Sequence, residues 1–362
     1  MNGQINKMEK DKNSLSNSDI NPEITRRLKI AIFSQPEYFR FMYESDLDSF
    51  ADVFEFKLNF SLKAADYKQI IEWNADFNFF FRGEFLPDGV LEQMSGIRVA
   101  FSSEPFPRKI SGYYEYTLDS IQRYFAFRSI RKKPFDYVFH YDSASLPLFQ
   151  KDKLFISGEF AFPVATSIYA PKENIKKWDI FFIGRSTSHR EKYFGPLKHY
   201  FQFLHICHGV WGPSLVDFLS SAKICLNIHA ENEVSWEPRM QMMLACGAFV
   251  ISEKISPNDY LRAGIDYIEV NSPKELYSAV EYYLENEAQR IKISESGRLR
   301  VLQLLNSKAC FEALISDLDH GKYSKFKAGK ASMVLNLIEK LVNFLIKYKL
   351  YLRTILNKKF EV

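Results

Sequence analysis

The stretch Ile224–Ile251, ICLNIHAENEVSWEPRMQMMLACGAFVI, decides the fold. It opens with an apolar run, Ile224–Ile228, of the length expected for a buried strand. A polar loop from His229 to Glu237 follows, and Pro238 suits the first turn of a helix, where its missing N–H costs nothing. Met240–Ala245 supplies a core-facing helical stripe, and Gly247 is the residue that a helix stop calls for. Ala248–Ile251 then forms a second strand-type run. Strand, helix and strand in this order make a βαβ unit, whose two strands are parallel because a helix carries the chain back.

Outward from this unit the alternation continues. On its amino side stand Asp179–Ile183 (DIFFI) and Phe203–Cys207, and on its carboxyl side Tyr267–Val270 and a helix over Pro273–Asn286. An earlier series has strands at Leu28–Phe33, Phe54–Phe60, Asp76–Phe81, Ile97–Phe101 and Phe135–His140. Helical stretches are expected between Phe33 and Phe54, at Ala64–Trp73, around Leu91 and at Tyr116–Ile130. Between the two series Ser157–Lys177 has no clear period and contains Pro163 and Pro171, as an inter-domain segment does. The predicted architecture is α/β: two Rossmann-like domains facing across a cleft, followed by an amphipathic helix. The expected boundaries are a disordered lead-in over 1–25, a first domain over 26–160, a linker over 161–177, a second domain over 178–319 and a basic tail over 320–362.

Composition agrees. A chain of 362 residues exceeds one ordinary core, and 46% hydrophobic with 25% charged residues excludes whole-chain disorder. The net charge of +4 excludes a uniformly basic nucleic-acid coat. The average conceals an asymmetry, because residues 320–362 hold ten Lys or Arg against two Glu, which leaves the preceding 319 residues at −4. Cys207, Cys225, Cys246 and Cys310 form no C-x-x-C pair and read as reduced thiols of a cytoplasmic protein. The polar first residues carry no apolar segment of signal-peptide type, and no run approaches the length of a membrane span.

Two loops are candidates for the chemistry. Gly184-Arg185-Ser186-Thr187-Ser188-His189-Arg190 follows a strand and opens a helix, where backbone N–H groups, hydroxyls and two guanidiniums suit a phosphate or diphosphate; taken alone, the segment reads equally as a capped helix start with solvent-facing arginines. The loop from His229 through Glu233 and Glu237 to Arg239 lies where a strand ends, the edge at which open α/β sheets bind ligands. Its carboxylates suit sugar or ribose hydroxyls, and Arg239 suits phosphate. In the first half Glu104, His140 and Asp142 follow strand ends and are candidates for a general base toward an acceptor hydroxyl. The segment His205-Ile206-Cys207-His208 alternates faces as a strand and has no second ligand cluster, so no metal site is expected. A Gly-rich dinucleotide fingerprint is missing after Leu28–Phe33, which disfavours an oxidoreductase.

The stretches DIFFIGRSTSHR (179–190), AKICLNIHAENEVSWEPRMQMMLACGAFVISE (222–253) and SPKELYSAVEYYLENEAQRIKISESGRLRVL (272–302) together resemble the group 1 glycosyltransferases of the GT-B fold, in the subset similar to the spore maturation protein CgeB. The resemblance covers about residues 178–302. It implies a second domain that binds a nucleotide-sugar as donor substrate, with no cofactor and no metal, and a first domain that presents a glycan or lipid-linked acceptor. Gly184, Arg185 and Arg190 fall where the family holds the diphosphate, and Arg239 matches the arginine ahead of its helix. Where group 1 enzymes carry a Glu four residues before the Cys of the A-C-G run, this chain has Met242, which leaves Glu237 and Glu233 as alternatives for that contact. The reading that follows is a hexosyl-type transferase in surface polysaccharide or lipopolysaccharide synthesis. The alternative is a non-catalytic nucleotide- or glycan-binding relative.

The tail repeats apolar residues at spacings of four and three (Val334, Ile338, Leu341, Leu345, Tyr348, Leu352, Ile355), one sustained helical face. This helix has two readings: it crosses back onto the first domain and buries one face, as chains of the resembled GT-B family commonly end, or, with its lysines, residues 331–358 lie on an anionic membrane surface, which is the reading preferred here and would give a peripheral location at the inner face of the cell membrane.

Overall fold

A computed structural model describes residues 26–59, 61–232, 236–255 and 259–360, without the side chains of 346, 347 and 349–360. The lead-in therefore lies outside the described residues. The first domain contains β1 (Leu28–Ser34), α1 (Pro36–Phe39), β2 (Ala51–Lys57), α2 (Lys68–Trp73), β3 (Phe77–Phe81), β4 (Ile97–Ser102), β5 (Arg108–Ile110), β6 (Tyr113–Glu115), α3 (Leu118–Phe127), β7 (Tyr137–His140), α4 (Leu146–Lys151), β8 (Leu154–Phe155) and β9 (Gly158–Glu159). The second contains β10 (Trp178–Ile183), α5 (Ser188–Tyr200), β11 (Phe203–Ile206), α6 (Gly212–Ser220), β12 (Ala222–Asn227), α7 (Arg239–Ala245), β13 (Val250–Glu253), β14 (Ile268–Val270), α8 (Pro273–Glu285) and α9 (Glu287–Leu304). The chain ends with α10 (Ser307–Asp319), β15 (Lys327–Ala328) and α11 (Met333–Phe360).

The first sheet has the order β2-β1-β3-β4-β7-β9 and the second β11-β10-β12-β13-β14, with every neighbouring pair parallel. Both orders reverse direction beside their first strand. That reversal opens a crevice at the carboxyl ends of the strands on either side, the place where doubly wound sheets bind ligands.

Strand alternation divides the cores. In β3, Phe77, Phe79 and Phe81 face the core shared with the second domain, while Phe80 stacks on Phe33 at 4.1 Å on the opposite face. In the second sheet Ile180 and Phe182 face the helices α5 and α8, and Phe181 faces the shared core.

Several local expectations change. The stretch after β1 forms one short helix and tight turns instead of a long helix: Phe39, Phe41, Met42, Tyr43 and Leu47 are all buried, and on one continuous helix Phe41 would lie opposite Phe39 and Tyr43, so no single helical face buries them together. In consequence β2 starts at Ala51, earlier than the Phe54 expected. The helix expected around Leu91 is a single tight turn over Leu91–Gln93. The hairpin β5–β6 and the helix α4 carry no periodic signal of their own length and were not anticipated.

The largest difference concerns Ser307–Asp319, which the sequence places with the second domain. This helix crosses to the first sheet, where Phe311 (0% exposed) meets Phe79 and Phe160 at 5.6 Å each. The reason is local to the crossing. Val164 donates its N–H to the Leu305 carbonyl at 2.8 Å, and Ser307 donates to the Val164 carbonyl at 3.0 Å, so the incoming and returning chains are bound side by side. The tail then stays on the first domain: β15 pairs antiparallel with β8, and Leu335 and Val342 of α11 enter the first-domain core.

Candidate functional site

The second sheet's crevice lies between the ends of β10 and β12, and one side chain spans it. Arg239, the first residue of α7 and 8% exposed, donates Nη1 to the Ile183 carbonyl at the end of β10 and Nε to Asn227 Oδ1 at the end of β12, the latter at 2.9 Å. Its Nη2 reaches Glu237 Oε2 at 2.9 Å. Arg190, from the first turn of α5, lies alongside. It donates to the Ile228 carbonyl at 2.9 Å and to the Arg185 carbonyl at 2.8 Å, and its Nη2 stands 3.6 Å from Glu237 Oε1. Both guanidiniums sit 5.0 Å from the Phe182 ring centroid, which explains how two like charges share one apolar support.

Electrostatics follow from this crowding. Burial, then the neighbouring Arg239, push the Arg190 guanidinium down to about 10. At Glu237 burial works against ionisation, but Arg239 and Arg190 outweigh it and hold the carboxyl below its usual range. Two arginines sharing one carboxylate leave an excess of positive charge at the crevice, suited to an anionic ligand.

Gly184 makes the arrangement sterically feasible. Its φ of 141° lies where side chains are disfavoured, and a Cβ there would stand 2.7 Å from Arg239 Nη1 and 3.2 Å from Arg190 Nη1. Thr187 caps α5 by accepting the Arg190 N–H at 3.2 Å. The His205 ring meets the Gly184 carbonyl through Nε2 at 2.8 Å and so braces this turn. Arg185 is exposed at the crevice rim.

His229 is 3% exposed. Its N–H donates to Glu253 Oε2 at 2.7 Å and its Nε2 meets the Lys254 carbonyl at 2.7 Å, which leaves Nδ1 buried without a partner. Burial lowers its basicity, so the neutral ring with a free acceptor at Nδ1 is the favoured form. Glu253 also holds His189 Nε2 at 2.9 Å, tying the end of β13 to the first turn of α5. Glu233 lies outside the described residues. Met242 packs against the shared core.

The three first-domain candidates differ in setting. Glu104 is clamped by Arg82 and Arg123. Asp142 is fully buried, caps the next turn by accepting the Ala144 N–H at 2.9 Å, and stands 3.4 Å from Arg108 Nη2. Burial raises its affinity for a proton, and Arg108 offsets part of this. His140 is 1% exposed and stacks on Phe106 at 4.9 Å, and burial drives it down to about 3, a weak base.

Four residues not singled out from the sequence belong to this region. Asp119, in the first turn of α3, feels the charges of Glu231 and Arg185 across the cleft; burial and Glu231 raise its carboxyl, and Arg185 opposes them. Arg82 has φ 76° at the end of β3, an unusual conformation for arginine, and pairs with Glu84 and Glu104. Arg123 joins Glu104 and Asp119. Glu159, at the carboxyl end of β9, bonds Tyr260 of the second domain, and burial with Asp259 and Asp142 pushes it up to about 7. Arg82 and Glu159 sit at strand ends and Asp119 one helical turn beyond one, a faint sequence signal, whereas Arg123 lies within α3 and carries none. A surface depression of about 420 Å³ lined by Arg26, Asn74 and Asp76 lies at the amino ends of β1, β3 and β4, the edge opposite the crevices.

Compared with known proteins, residues 183–316 match a family model described as Glycosyl transferase-like. No curated protein matches the chain. Sucrose-phosphate synthase from Thermosynechococcus elongatus aligns over 82% of this chain and 100% of its own, at 11% identity and a TM-score of 0.53. HepE from Anabaena, solved in complex with UDP and glucose, aligns over 81% of this chain and 100% of its own, at 8% identity and a TM-score of 0.53. AviGT4, a glycosyltransferase involved in avilamycin A biosynthesis, aligns over 80% of this chain and 96% of its own, at 11% identity and a TM-score of 0.51. The two parallel-sheet domains thus have the GT-B fold of these structures, and the segment that matches the glycosyl transferase-like model contains Arg185, Arg190 and Arg239.

Proposed function

We propose that this GT-B chain is a glycosyltransferase that moves a sugar, of hexosyl type, from a nucleotide-sugar held by the second domain to a glycan or lipid-linked acceptor presented by the first. The observation that carries the reading is the pair Arg190 and Arg239 at the second sheet's crevice, two buried cations sharing one carboxylate. A donor diphosphate supplies the missing negative charge, and the same cations stabilise the diphosphate as it leaves, so no metal is required. HepE was also solved with UDP-glucose, which makes uridine nucleotides the first donors to test.

The acceptor hydroxyl enters beside Asp119, Arg123 and Glu159. Glu159 suits proton acceptance better than Glu104, His140 or Asp142, because its carboxyl titrates near neutrality and faces the second domain. Closure of the cleft excludes water that would hydrolyse the donor. Synthesis of surface polysaccharide or lipopolysaccharide at the cytoplasmic face of the membrane is the setting we assign.

Met242 favours the second reading, a non-catalytic nucleotide or glycan binder, since no carboxylate stands at that position of α7. A calorimetric panel of UDP-, GDP- and CMP-sugars, followed by donor hydrolysis and transfer assays, separates the two. Binding with turnover supports the transferase, binding without turnover supports the binder, and no binding of any nucleotide-sugar refutes the transferase and the nucleotide binder alike.

A further inference from the structure

The final helix presents three distinct faces. At 100° per residue, Leu335, Glu339 and Val342 fall together. Leu335 and Val342 are 7% and 8% exposed in the first-domain core, and Glu339 pairs with Arg128. A second face carries Leu337, Ile338, Leu341, Phe344, Leu345 and Tyr348, exposed by 39–70%. Between them runs a polar strip with Asn336, Lys340 and Asn343. Six large apolar side chains in twelve residues facing water are far beyond the scattered exposure of an ordinary surface.

The helix is also firmly fixed. Arg128 is 5% exposed at its side chain and bonds Asp152, Glu339 and Asn336. Asp152 in turn accepts the Ser332 N–H at 3.1 Å, and Arg131 donates to the Gly329 carbonyl at 3.1 Å. The apolar row is thus held outward by a buried polar anchor. Arg128 directly follows α3, whose first turn brings Asp119 into the cleft, so about 15 Å of helix joins the anchor to the acceptor site proposed above.

We propose that the outward face of α11 seats in an anionic lipid surface as a rigid extension of the first domain. Charge selects this occupant. The tail from 320 onward carries ten Lys or Arg against two Glu, so two copies pairing along this face would bring together two strongly positive segments, whereas anionic headgroups neutralise them. Among the described residues no helix is long and apolar enough to cross a membrane, so the helix lies in the interface plane. The inference deepens the reading of a lipid-linked acceptor, but lipid binding itself requires no sugar transfer.

The test uses the full chain and flotation with vesicles of phosphatidylcholine containing about 30% phosphatidylglycerol. Wild type is expected to float with these vesicles and to float about tenfold less with pure phosphatidylcholine or in high salt. The double variant Leu341→Glu, Phe344→Glu is expected to float at least tenfold less while keeping its urea midpoint, since both side chains face solvent. Equal flotation of wild type and variant, or no flotation of wild type, overturns the proposal. So does a wild-type dimer in light scattering that the variant converts to monomer without any vesicle binding, which would make a second copy the occupant. Nucleotide-sugar binding, measured on the same samples without vesicles, reports on the transferase reading separately: its failure leaves the flotation result standing.

Discussion

Arg239 ties the two strands that flank the second crevice, and its replacement has a calculable cost. Arg239→Ala removes the contact to Glu237, the bond to Asn227 Oδ1 and the bond to the Ile183 carbonyl. Breaking a buried ion pair costs about 3–5 kcal/mol. Glu237 is 26% exposed and keeps Arg190 nearby, which cuts that figure to about 2 kcal/mol. Asn227 is 0% exposed, so its orphaned oxygen adds about 1–3 kcal/mol. The sum is about 4 kcal/mol. Arg239→Lys keeps one charge but cannot span three partners, and about half that loss is expected. A charge-assisted pair to the donor diphosphate is worth about 1.5–3 kcal/mol, so affinity for UDP falls roughly 10- to 150-fold in either variant. Urea unfolding followed by tryptophan fluorescence gives the first quantity, and calorimetry with UDP the second. If Arg239→Ala unfolds within 0.5 kcal/mol of wild type, the arginine is no tie; if it is destabilised but binds UDP unchanged, the arginine is a strut and the binding argument is wrong.

Gly184→Ala is expected to weaken UDP binding at least tenfold, because its Cβ would displace Arg239 Nη1 from 2.7 Å and strain a φ of 141°; unchanged affinity in calorimetry would contradict this. Glu159 has its folded-state proton affinity raised from 4.5 to about 7, so the folded chain favours the protonated form and its contribution to stability is lost as pH rises from about 4.5 to 7. With allowance for partial exposure, Glu159→Gln is expected to gain about 1–2 kcal/mol over wild type at pH 8 and nothing at pH 4 in urea titrations, while transfer activity falls and loses its rise near pH 7. Phe311→Ala is expected to cost about 3–5 kcal/mol in the transition of the first domain, since the ring is fully buried against that sheet; loss from the second domain's transition alone would reject the crossing. Arg128→Met is expected to speed amide exchange over 333–345 at least tenfold, and unaltered protection would show that the anchor does not hold the tail.

Much of this architecture was legible because parallel strands buried on both faces are nearly continuous apolar runs. DIFFI and ICLNI announce β10 and β12 within two residues, and FNFFF announces β3. The stretch after β1 reads differently: Phe39, Phe41, Tyr43 and Leu47 supply apolar residues at helical density, but Phe41 is buried as well as Phe39 and Tyr43, and tertiary packing of all of them overrides the period. Ser307–Asp319 has an ordinary amphipathic pattern that is the same whichever sheet it covers, so only the bonds of Val164 and Asn306 at the crossing decide its domain. At the site, Gly184, Arg190, Glu237 and Arg239 were legible as loop residues between a strand and a helix. Asp119 and Glu159 were not, because each acquires its setting from burial and from groups distant in sequence, Glu231 and Arg185 for one, Asp259, Asp142 and Tyr260 for the other.

The same crossing constrains how the cleft works. The chain passes between the domains twice, near Val164 and near Asn306, and the two passages are bonded to each other: Asn306 Nδ2 also reaches Thr166 Oγ1 at 2.6 Å, and Asp46 of the first domain accepts the Thr166 and Ser167 N–H groups at 3.0 and 3.1 Å. Two passages clamped at one place leave rotation about that place as the inexpensive motion, while sliding would break the bonded pair. Rotation is expected to shift Asp119, in the first turn of α3, relative to Arg185, and to shift Glu159 little relative to Tyr260, because β9 ends five residues before Val164 at the crossing. Glu159 is therefore placed to remain in register with the second domain through opening and closing, and Asp119 is placed to sense it. Double electron–electron resonance between labels at exposed Tyr116 and exposed Trp211 measures that rotation directly. A shortening on addition of UDP that survives Glu159→Gln but not Arg239→Ala is the expected result. A distance indifferent to nucleotide in wild type would show that the cleft does not close on its donor.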